Sequence, residues 1–287
     1  MRSTYLALSF LAATVSTAAL AEDAAPAPAS APAPLPARRA AGWHRFAQPG
    51  RFLRLTERAT PVLWALAALV LAIGVPWALV FSPPDWQQGE TVRIMYVHVP
   101  MAWLAMSGYA TLALASLSGL VWRHPLADIV AREISPVGAA VTGLCLLTGS
   151  LWGKPMWGTW WVWDARLTSV LVLFFFWVGH AALVRAFEEE ERGARMGAIL
   201  ALVGAVNLPI VKFSVDWWNT LHQPASVARL GAPGLHVDLL YPLLANALGF
   251  TLLFVAIVLT RSRAAILERR VRALSLARAR RLDGEMV

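Results

Sequence analysis

Charged residues are scarce in this chain: they make up 15% of its 287 residues, while 58% are apolar. An average soluble protein has roughly 25% charged residues, so this chain has too few charges to cover a water-facing surface. Cysteine is almost absent, since Cys145 is the only one, which excludes an internal disulfide and a CxxC metal or redox motif. The chain also lacks a GxxxxGK[S/T] loop, so any use of ATP belongs to a partner.

Six apolar stretches are long enough to cross a bilayer, which takes about 20 helical residues. None of them contains Asp, Glu, Lys or Arg, and they occupy residues 61–81, 101–122, 135–152, 167–184, 196–211 and 239–260. The fifth is short, so we expect it to continue past Lys212, whose long side chain can reach the interface. Pro76 lies inside the first stretch and Pro209 near the end of the fifth, so local kinks are predicted at both prolines. The sequence therefore predicts an all-α integral membrane protein with six transmembrane helices.

Most positive charges lie on one side of these helices. Residues 38–60 before the first helix and the segments after the second, fourth and sixth helices together hold 19 arginines. The alternate loops hold only Arg93, Lys154, Arg166 and Arg229. Positive residues mark the cytoplasmic side, so both ends of the six-helix core are predicted to be cytoplasmic. This distribution accounts for the net charge of +8 without a nucleic-acid partner, and the basic tail is expected to face anionic membrane lipid.

The first 41 residues differ from the rest of the chain. Arg2, an apolar run and the sequence Ala19-Leu20-Ala21 resemble a secretory signal with its cleavage site, and a Pro/Ala-rich linker follows. A cleaved signal would start the core outside, against the arginine distribution, so a real extension, an extra N-terminal span and a misassigned start codon all stay open. The predicted domains are an N-terminal extension over residues 1–41, a six-helix membrane domain over 42–262 and a basic cytoplasmic tail over 263–287.

Tryptophan is concentrated in the loops on the side with few arginines. Eight of the 14 tryptophans lie there or at its membrane edge, and the densest segment reads WGTWWVWDAR over residues 157–166. As an interfacial helix it would place Trp157, Trp160, Trp161 and Asp164 on one face. Such a flat aromatic surface beside a carboxylate favours a planar, apolar ligand. The alternative is a short helix that only anchors the chain at the interface.

Two histidines and two arginines accompany this segment on the same side. His98 ends the first of these loops, and His222 lies in the third, just after the fifth stretch. Neutral imidazole is a strong ligand for iron, so the pair is a candidate for holding one iron from opposite faces. Alternatively, each is an interface histidine that makes hydrogen bonds. Arg93 and Arg166 are candidates for binding carboxylates of an anionic ligand, with Asp164 and phospholipid head groups as alternative partners of Arg166.

Three further residues are notable because of where they lie. His180 lies deep in the fourth stretch, where an ionisable group is a functional candidate. A neutral histidine bonded to a neighbouring helix is the simpler interpretation. Cys145 is expected to be a small packing residue in the third stretch. No specific role follows from the sequence for His236.

The tryptophan-rich motif, WGTWWVWDARLT over residues 157–168, resembles the signature of the haem-handling membrane proteins of cytochrome c biogenesis. Three flanking blocks resemble the haem exporter protein C branch, also called cytochrome c maturation protein C. These blocks are PPDWQQG at 83–89, RIMYVHVP at 93–100 and VNLPIVKFSVDWWNTLHQ at 206–223. The resemblance runs from about Trp43 to about Arg270, and residues 1–41 have no counterpart in it.

The resemblance implies a carrier of haem rather than an enzyme. Family members transiently bind haem b (iron protoporphyrin IX) at the periplasmic face of the bacterial inner membrane. Together with a small membrane protein, maturation protein D, they help to load the haem onto a periplasmic haem chaperone, maturation protein E. The ABC-type subunits A and B then release the loaded chaperone. In the family, the tryptophan-rich segment contacts haem and chaperone, and two outer histidines are axial ligands of the iron. These roles fall on Trp157, Trp160, Trp161, Trp163 and Asp164, and on His98 and His222.

Three other functions agree with parts of the sequence. A membrane b-haem subunit that exchanges electrons with quinone needs histidine pairs within the bilayer, whereas His180 has no partner at its depth. The haem-ligase branch of the same family usually has larger chains with more spans and more histidines. A transporter permease favours broken helices and polar residues near the midplane, whereas the polar residues here cluster at one side.

Overall fold

The computed structural model describes residues 48–223, 227, 231 and 234–285. The predicted extension over residues 1–41 lies outside the described residues. The helices are α1 (Pro49–Pro76), α2 (Met95–Trp122), α3 (Pro125–Trp157), α4 (Ala165–Leu183), α5 (Glu190–Ala205), α6 (Asn207–Trp217) and α7 (Val237–Glu285). A π-helical turn (Trp77–Phe81) continues α1, and a 3₁₀ turn (Glu90–Ile94) precedes α2.

Six helical segments in the described part of the chain are long and apolar enough to cross a membrane, which confirms the predicted all-α, six-span architecture. The fifth runs from Glu190 to Trp217 through α5 and α6, so its predicted continuation past Lys212 is also confirmed. The local kink predicted near Pro209 appears three residues earlier, at Val206, where the chain turns between α5 and α6. Proline has no N–H, so the carbonyl of Ala205 lacks its helical donor, which explains why the break comes before the proline.

The three loops with few arginines meet at one end of the helix bundle. There, the imidazole of His222 lies near both His98 at the start of α2 and Trp157 at the end of α3. We call this end the tryptophan end and the opposite one the arginine end. The kink predicted at Pro76 appears at the tryptophan end as the π-helical turn, where the N–H of Ser82 donates to the carbonyl of Trp77 at 2.8 Å.

The centre of the bundle is an aromatic contact between α2 and α4. Tyr109 and Trp177 are fully buried and meet edge to face, with 4.9 Å between ring centroids. Gly138 of α3 makes room for them, because a Cβ there would overlap the Trp177 ring. Many apolar side chains of α1 point outward instead, as lipid-facing residues do: Leu69 and Ile73 are each more than half exposed.

Ion pairs and hydrogen bonds connect the helices towards the arginine end. Arg261 of α7 lies 2.8 Å from Glu133 of α3, and Arg269 lies 2.7 Å from Glu190 at the start of α5. Part of the basic tail therefore pairs with carboxylates of the protein. Deeper in the bundle, His180 is buried and its Nδ1 hydrogen-bonds the hydroxyl of Ser135 on α3, so the expected bond to a neighbouring helix is confirmed.

Candidate functional site

The tryptophan-rich segment is a non-helical connection, so the interfacial helix suggested by its spacing is wrong. α3 ends at Trp157, and Gly158 then adopts a left-handed conformation with φ 75°. Glycine has no Cβ, so it ends a helix in this way without strain. Asp164 has an extended backbone and caps α4, because its Oδ1 accepts the N–H of Leu167 at 2.7 Å. The two helix ends leave too little chain between them for a third helix.

This connection folds back onto the last turns of α3. The hydroxyl of Ser150 donates to the carbonyl of Trp160 at 2.7 Å, which joins residues ten positions apart. Gly153, one turn further along α3, lies against the Trp157 ring and the carbonyl of Thr159. A Cβ there would be 3.2 Å from the ring and 3.4 Å from the carbonyl oxygen. The missing side chain at Gly153 therefore lets the connection lie close to the helix.

The four predicted tryptophans consequently do not share one flat face. Trp160 and Trp163 are exposed, by 54% and 76%, whereas Trp157 and Trp161 are half-buried. Trp161 meets Trp163 edge to face, with 5.5 Å between ring centroids. Two rings therefore line the protein side of the segment, and two are presented to whatever lies outside it.

A small cavity lies between this connection and α3, and two buried polar atoms in its wall have no hydrogen-bond partner among the described residues. These atoms are Nε1 of Trp161 and Oδ2 of Asp164. An unsatisfied buried polar group costs about 1–3 kcal/mol. A donor and an acceptor left open in the wall of one cavity favour a polar group of a ligand or a partner at this position.

His98 lies in the first turn of α2, against α3. Its Nδ1 is 3.0 Å from the carbonyl oxygen of Cys145 and 3.2 Å from the hydroxyl of Thr148. A carbonyl only accepts, so Nδ1 carries the proton and Nε2 keeps its lone pair, which is the form that binds metals. Gly149 makes room for the ring, because a Cβ there would be 2.8 Å from Cε1 of His98.

His222 is half-buried in the connection after α6 and has the same tautomer. Its Nδ1 lies 2.8 Å from the carbonyl oxygen of Gln223, so Nε2 again keeps its lone pair. Burial lowers the pKa of His222 below its ordinary value, and the hydrogen bond to Gln223 opposes this only in part. A lowered pKa keeps the imidazole neutral, and so able to bind a metal, to a lower pH than in a free histidine.

The structure brings His98 and His222 together, although they are far apart in the sequence. Their ring centroids are 6.5 Å apart, and their planes are inclined by 37°. A metal bound by two imidazoles on opposite sides lies about 2.0 Å from each ligating nitrogen. Adding the distance from each nitrogen to the centre of its ring gives a centroid separation close to the observed one. No group of three or more His, Cys, Asp and Glu residues with metal-binding geometry occurs in the described ranges. A metal held here therefore needs equatorial ligands from elsewhere, which the ring nitrogens of a porphyrin provide.

Both candidate arginines make hydrogen bonds inside the protein. Arg93 pairs with Glu90 and donates to the carbonyl of Ala78 at 3.2 Å. Nε of Arg166 donates to the hydroxyl of Ser214 on α6 at 2.7 Å. The carboxylate of Asp164 acts on Arg166 electrostatically, but among the described residues no ion pair within 4 Å joins the two side chains. Each guanidinium has five N–H donors, so these contacts leave others for a carboxylate.

Sequence reasoning missed Trp152, which packs edge-on against the His98 imidazole with 5.6 Å between ring centroids. The signal was present, since Cys145, Gly149 and Trp152 follow helical spacing and share the face of α3 that meets His98.

Residues 42–277 match the family model for CcmC, heme exporter protein C. Relatives that carry the name heme exporter protein C include one from Bradyrhizobium diazoefficiens, 57% identical over 236 residues, which are 82% of this chain and 89% of the relative. The relative from Haemophilus influenzae is 44% identical over 78% of this chain and 92% of its own length. The relative from Escherichia coli K12 is also 44% identical, over 78% of this chain and 90% of its own length. All the site residues described above lie within the region that matches the family model.

Proposed function

The chain belongs to the heme exporter protein C family, and we propose that it binds haem b at the periplasmic face of the bacterial inner membrane and delivers it to a periplasmic haem chaperone. Family membership and the six spans make it a multi-pass inner membrane protein with a role in haem export for cytochrome c biogenesis. The finer proposal concerns which residues hold the haem, which partner receives it and which way the protein faces.

The pairing of His98 with His222 carries the proposal. Both imidazoles bond a backbone carbonyl through Nδ1, so both have Nε2 available, and the two rings are separated by a distance that one metal between them would give. Haem iron takes two axial ligands beyond the porphyrin nitrogens, and histidine is a common one. The pair therefore supports a bis-histidine site for haem that is carried as cargo.

The surroundings suit the rest of the haem molecule. The exposed rings of Trp160 and Trp163 offer apolar area to a porphyrin or to the chaperone. Arg93 and Arg166 are our candidates for the propionates, which guanidinium binds through paired hydrogen bonds. A site at the membrane surface avoids moving the propionates through hydrocarbon, where an unpaired charge costs several kcal/mol. The partners of the proposed transfer are the haem chaperone (maturation protein E), the small membrane protein D and the ABC-type subunits A and B.

The orientation has its own test. We expect the tryptophan end to face the periplasm, because the opposite side holds 19 arginines against four basic residues here. Alkaline phosphatase, which is active only in the periplasm, should be active when fused after Arg166 and inactive when fused after Arg195. The reverse pattern would contradict the orientation and, with it, a periplasmic haem site.

Asp164→Asn should separate haem binding from haem delivery. Asparagine caps helices as well as aspartate does, so α4 should stay intact while the negative charge is lost. Hydrogen bonds to charged groups contribute about 1.5–3 kcal/mol, so we expect at least about a tenfold lower yield of covalent haem–chaperone adduct, with a nearly unchanged haem spectrum. Haem staining of the co-purified chaperone measures the yield.

Asp238→Asn is the matched control for this experiment, because Asp238 is an exposed carboxylate in the first turn of α7 at the same end of the bundle, where it pairs with His236. It should leave both spectrum and adduct yield unchanged. If Asp164→Asn instead strips haem as fully as loss of both histidines does, the carboxylate acts in binding rather than in delivery.

A further inference from the structure

Trp152 connects the candidate iron ligand His98 to the first loop of the tryptophan end. We propose that Trp152 and Gln88 are positioning residues that set the plane of the His98 imidazole, and thereby the geometry of its bond to iron. The inference rests on the proposed ligation of haem by His98. It concerns residues that act through the ligand and are not themselves expected to contact iron.

Trp152 is fixed at both ends of its ring system. Its Nε1 donates to Oε1 of Gln88 at 3.0 Å, and its ring meets the imidazole of His98 at an interplanar angle of 74°. The half-buried indole also packs against the buried cluster that contains Met95 and Leu243. Because the hydrogen bond and the apolar contacts hold it in one rotamer, the indole presents a stationary edge to the imidazole.

The His98 imidazole requires a contact such as the Trp152 edge to fix the plane of its ring. The bond from Nδ1 of His98 to the carbonyl of Cys145 fixes one atom of the ring but leaves the ring free to tilt about that bond. The backbone at Gly149 limits the tilt at Cε1. Trp152 supplies a second limit through its edge-to-face contact, so the plane is determined by three contacts in place of one.

Gln88 is itself held in place by a closed turn. Oδ1 of Asp85 accepts the backbone N–H groups of Gln87 and Gln88 at 3.0 and 2.9 Å. Asp85 and Gly89 exchange backbone hydrogen bonds of 2.8 and 3.2 Å, and Gly89 has a positive φ of 56°, which glycine adopts readily because it has no Cβ. The turn therefore directs the Gln88 side chain towards Trp152.

The same turn presents Trp86 outward. The side chain of Trp86 is 91% exposed. A molecule that touches this turn is separated from the iron ligand only by Gln88 and Trp152. The first loop can thus influence how His98 holds the haem.

Three variants of the haem-loaded, detergent-purified full-length chain test the inference. Trp152→Phe keeps an aromatic ring and removes the N–H donor. Gln88→Leu removes the acceptor at similar size, and Gln88→Glu keeps an oxygen acceptor and should behave as wild type. Trp217→Phe is the matched control, because this tryptophan lies at the same end but stacks on Phe213, with 5.4 Å between ring centroids.

Electron paramagnetic resonance of the ferric haem provides the decisive readout. The largest g value of a bis-histidine haem depends on the mutual orientation of the two imidazole planes, which a merely structural role would not alter. We expect Trp152→Phe and Gln88→Leu to shift this value and to weaken haem retention about two- to tenfold, the effect of one lost hydrogen bond. Because both remove the same bond, the double variant should be no worse than either single one.

The outcomes that contradict the inference are distinct from those that contradict the proposed function. Wild-type g values in both Trp152→Phe and Gln88→Leu would overturn the positioning role. Lower haem retention with an unchanged g value in the remaining haem would assign the two residues a structural role only, and would also overturn it. A wild-type chain that shows no bis-histidine signal at all would overturn the proposed haem ligation itself.

Discussion

His98→Ala and His222→Ala are each expected to convert the bound haem from a six-coordinate to a five-coordinate spectrum. Loss of the hydrogen-bond partner of a metal ligand typically costs 10–100-fold in affinity, so loss of the ligand itself should lower co-purified haem by at least about tenfold. The double variant should retain almost none. Absorption spectra of the purified chain in both oxidation states measure coordination, and the ratio of haem to protein measures retention.

Two controls accompany this prediction. His236→Ala should keep the wild-type spectrum, because His236 is an exposed residue at the same end and lies 3.3 Å from Asp238. Imidazole added to either single variant should restore the six-coordinate spectrum by filling the vacated position. If both single variants keep a wild-type bis-histidine spectrum, the axial assignment is wrong, and His236 becomes the next candidate.

The second large effect is expected from the tryptophan-rich segment. Each aromatic contact contributes about 0.5–1.5 kcal/mol beyond its burial, so a single Trp→Ala change should reduce loading of the chaperone only a few-fold. Replacing Trp160 and Trp163 together should reduce it roughly tenfold or more, and replacing Trp157 and Trp161 as well should abolish it. The exposed pair is the cleaner test, because the half-buried rings of Trp157 and Trp161 stay in place when it is removed.

Trp217 and Trp218 offer a matched pair for this experiment. Both are about half exposed at the same end of the bundle, and their rings lie in contact with each other, 5.6 Å apart between centroids. Trp217→Ala/Trp218→Ala should leave chaperone loading close to wild type. If the variant lacking all four tryptophans of residues 157–163 still loads the chaperone normally, the segment is only an interfacial anchor.

The membrane helices were predictable because their signal depends on a single physical requirement. A spanning segment must be apolar over its length and satisfy its own backbone, so composition and length suffice. The position of the break within the fifth span was less predictable. The sequence placed the break at Pro209 itself, whereas it occurs at Val206, because a proline disrupts the helical turn that precedes it.

The tryptophan-rich segment shows how spacing alone misleads. Trp157, Trp160, Trp161 and Asp164 follow helical spacing, yet Gly158 and Asp164 are also strong signals for the end of one helix and the start of the next. The local capping signals decided the structure. The N–H of Gly158 bonds a carbonyl at the end of α3, and Asp164 accepts an N–H at the start of α4, so backbone groups at both helix ends have partners.

The hydrogen-bond partners of the candidate ligands could not be predicted from the sequence. The resemblance named His98 and His222, but the acceptors of their Nδ1 protons are backbone carbonyls, which every residue has and no sequence pattern reveals. Likewise, the hydrogen bond between Gln88 and Trp152 joins residues 64 positions apart, and only the packing of the first loop against α3 brings them together.

The carbonyl that orients His98 belongs to the only cysteine of the chain, and the thiol of that residue is shielded. Cys145 is 4% exposed, and its Sγ lies 4.0 Å from Nδ1 of His98. Thiol reagents need access to the sulfur, so the native residue should stay unlabelled in the folded protein. A cysteine introduced at an exposed position such as Trp86 or Trp163 would then be the only thiol that a maleimide reaches. Because the native thiol does not react, single cysteines can be introduced into the natural chain one position at a time. Loss of labelling when a partner binds would then show which parts of the tryptophan end become covered.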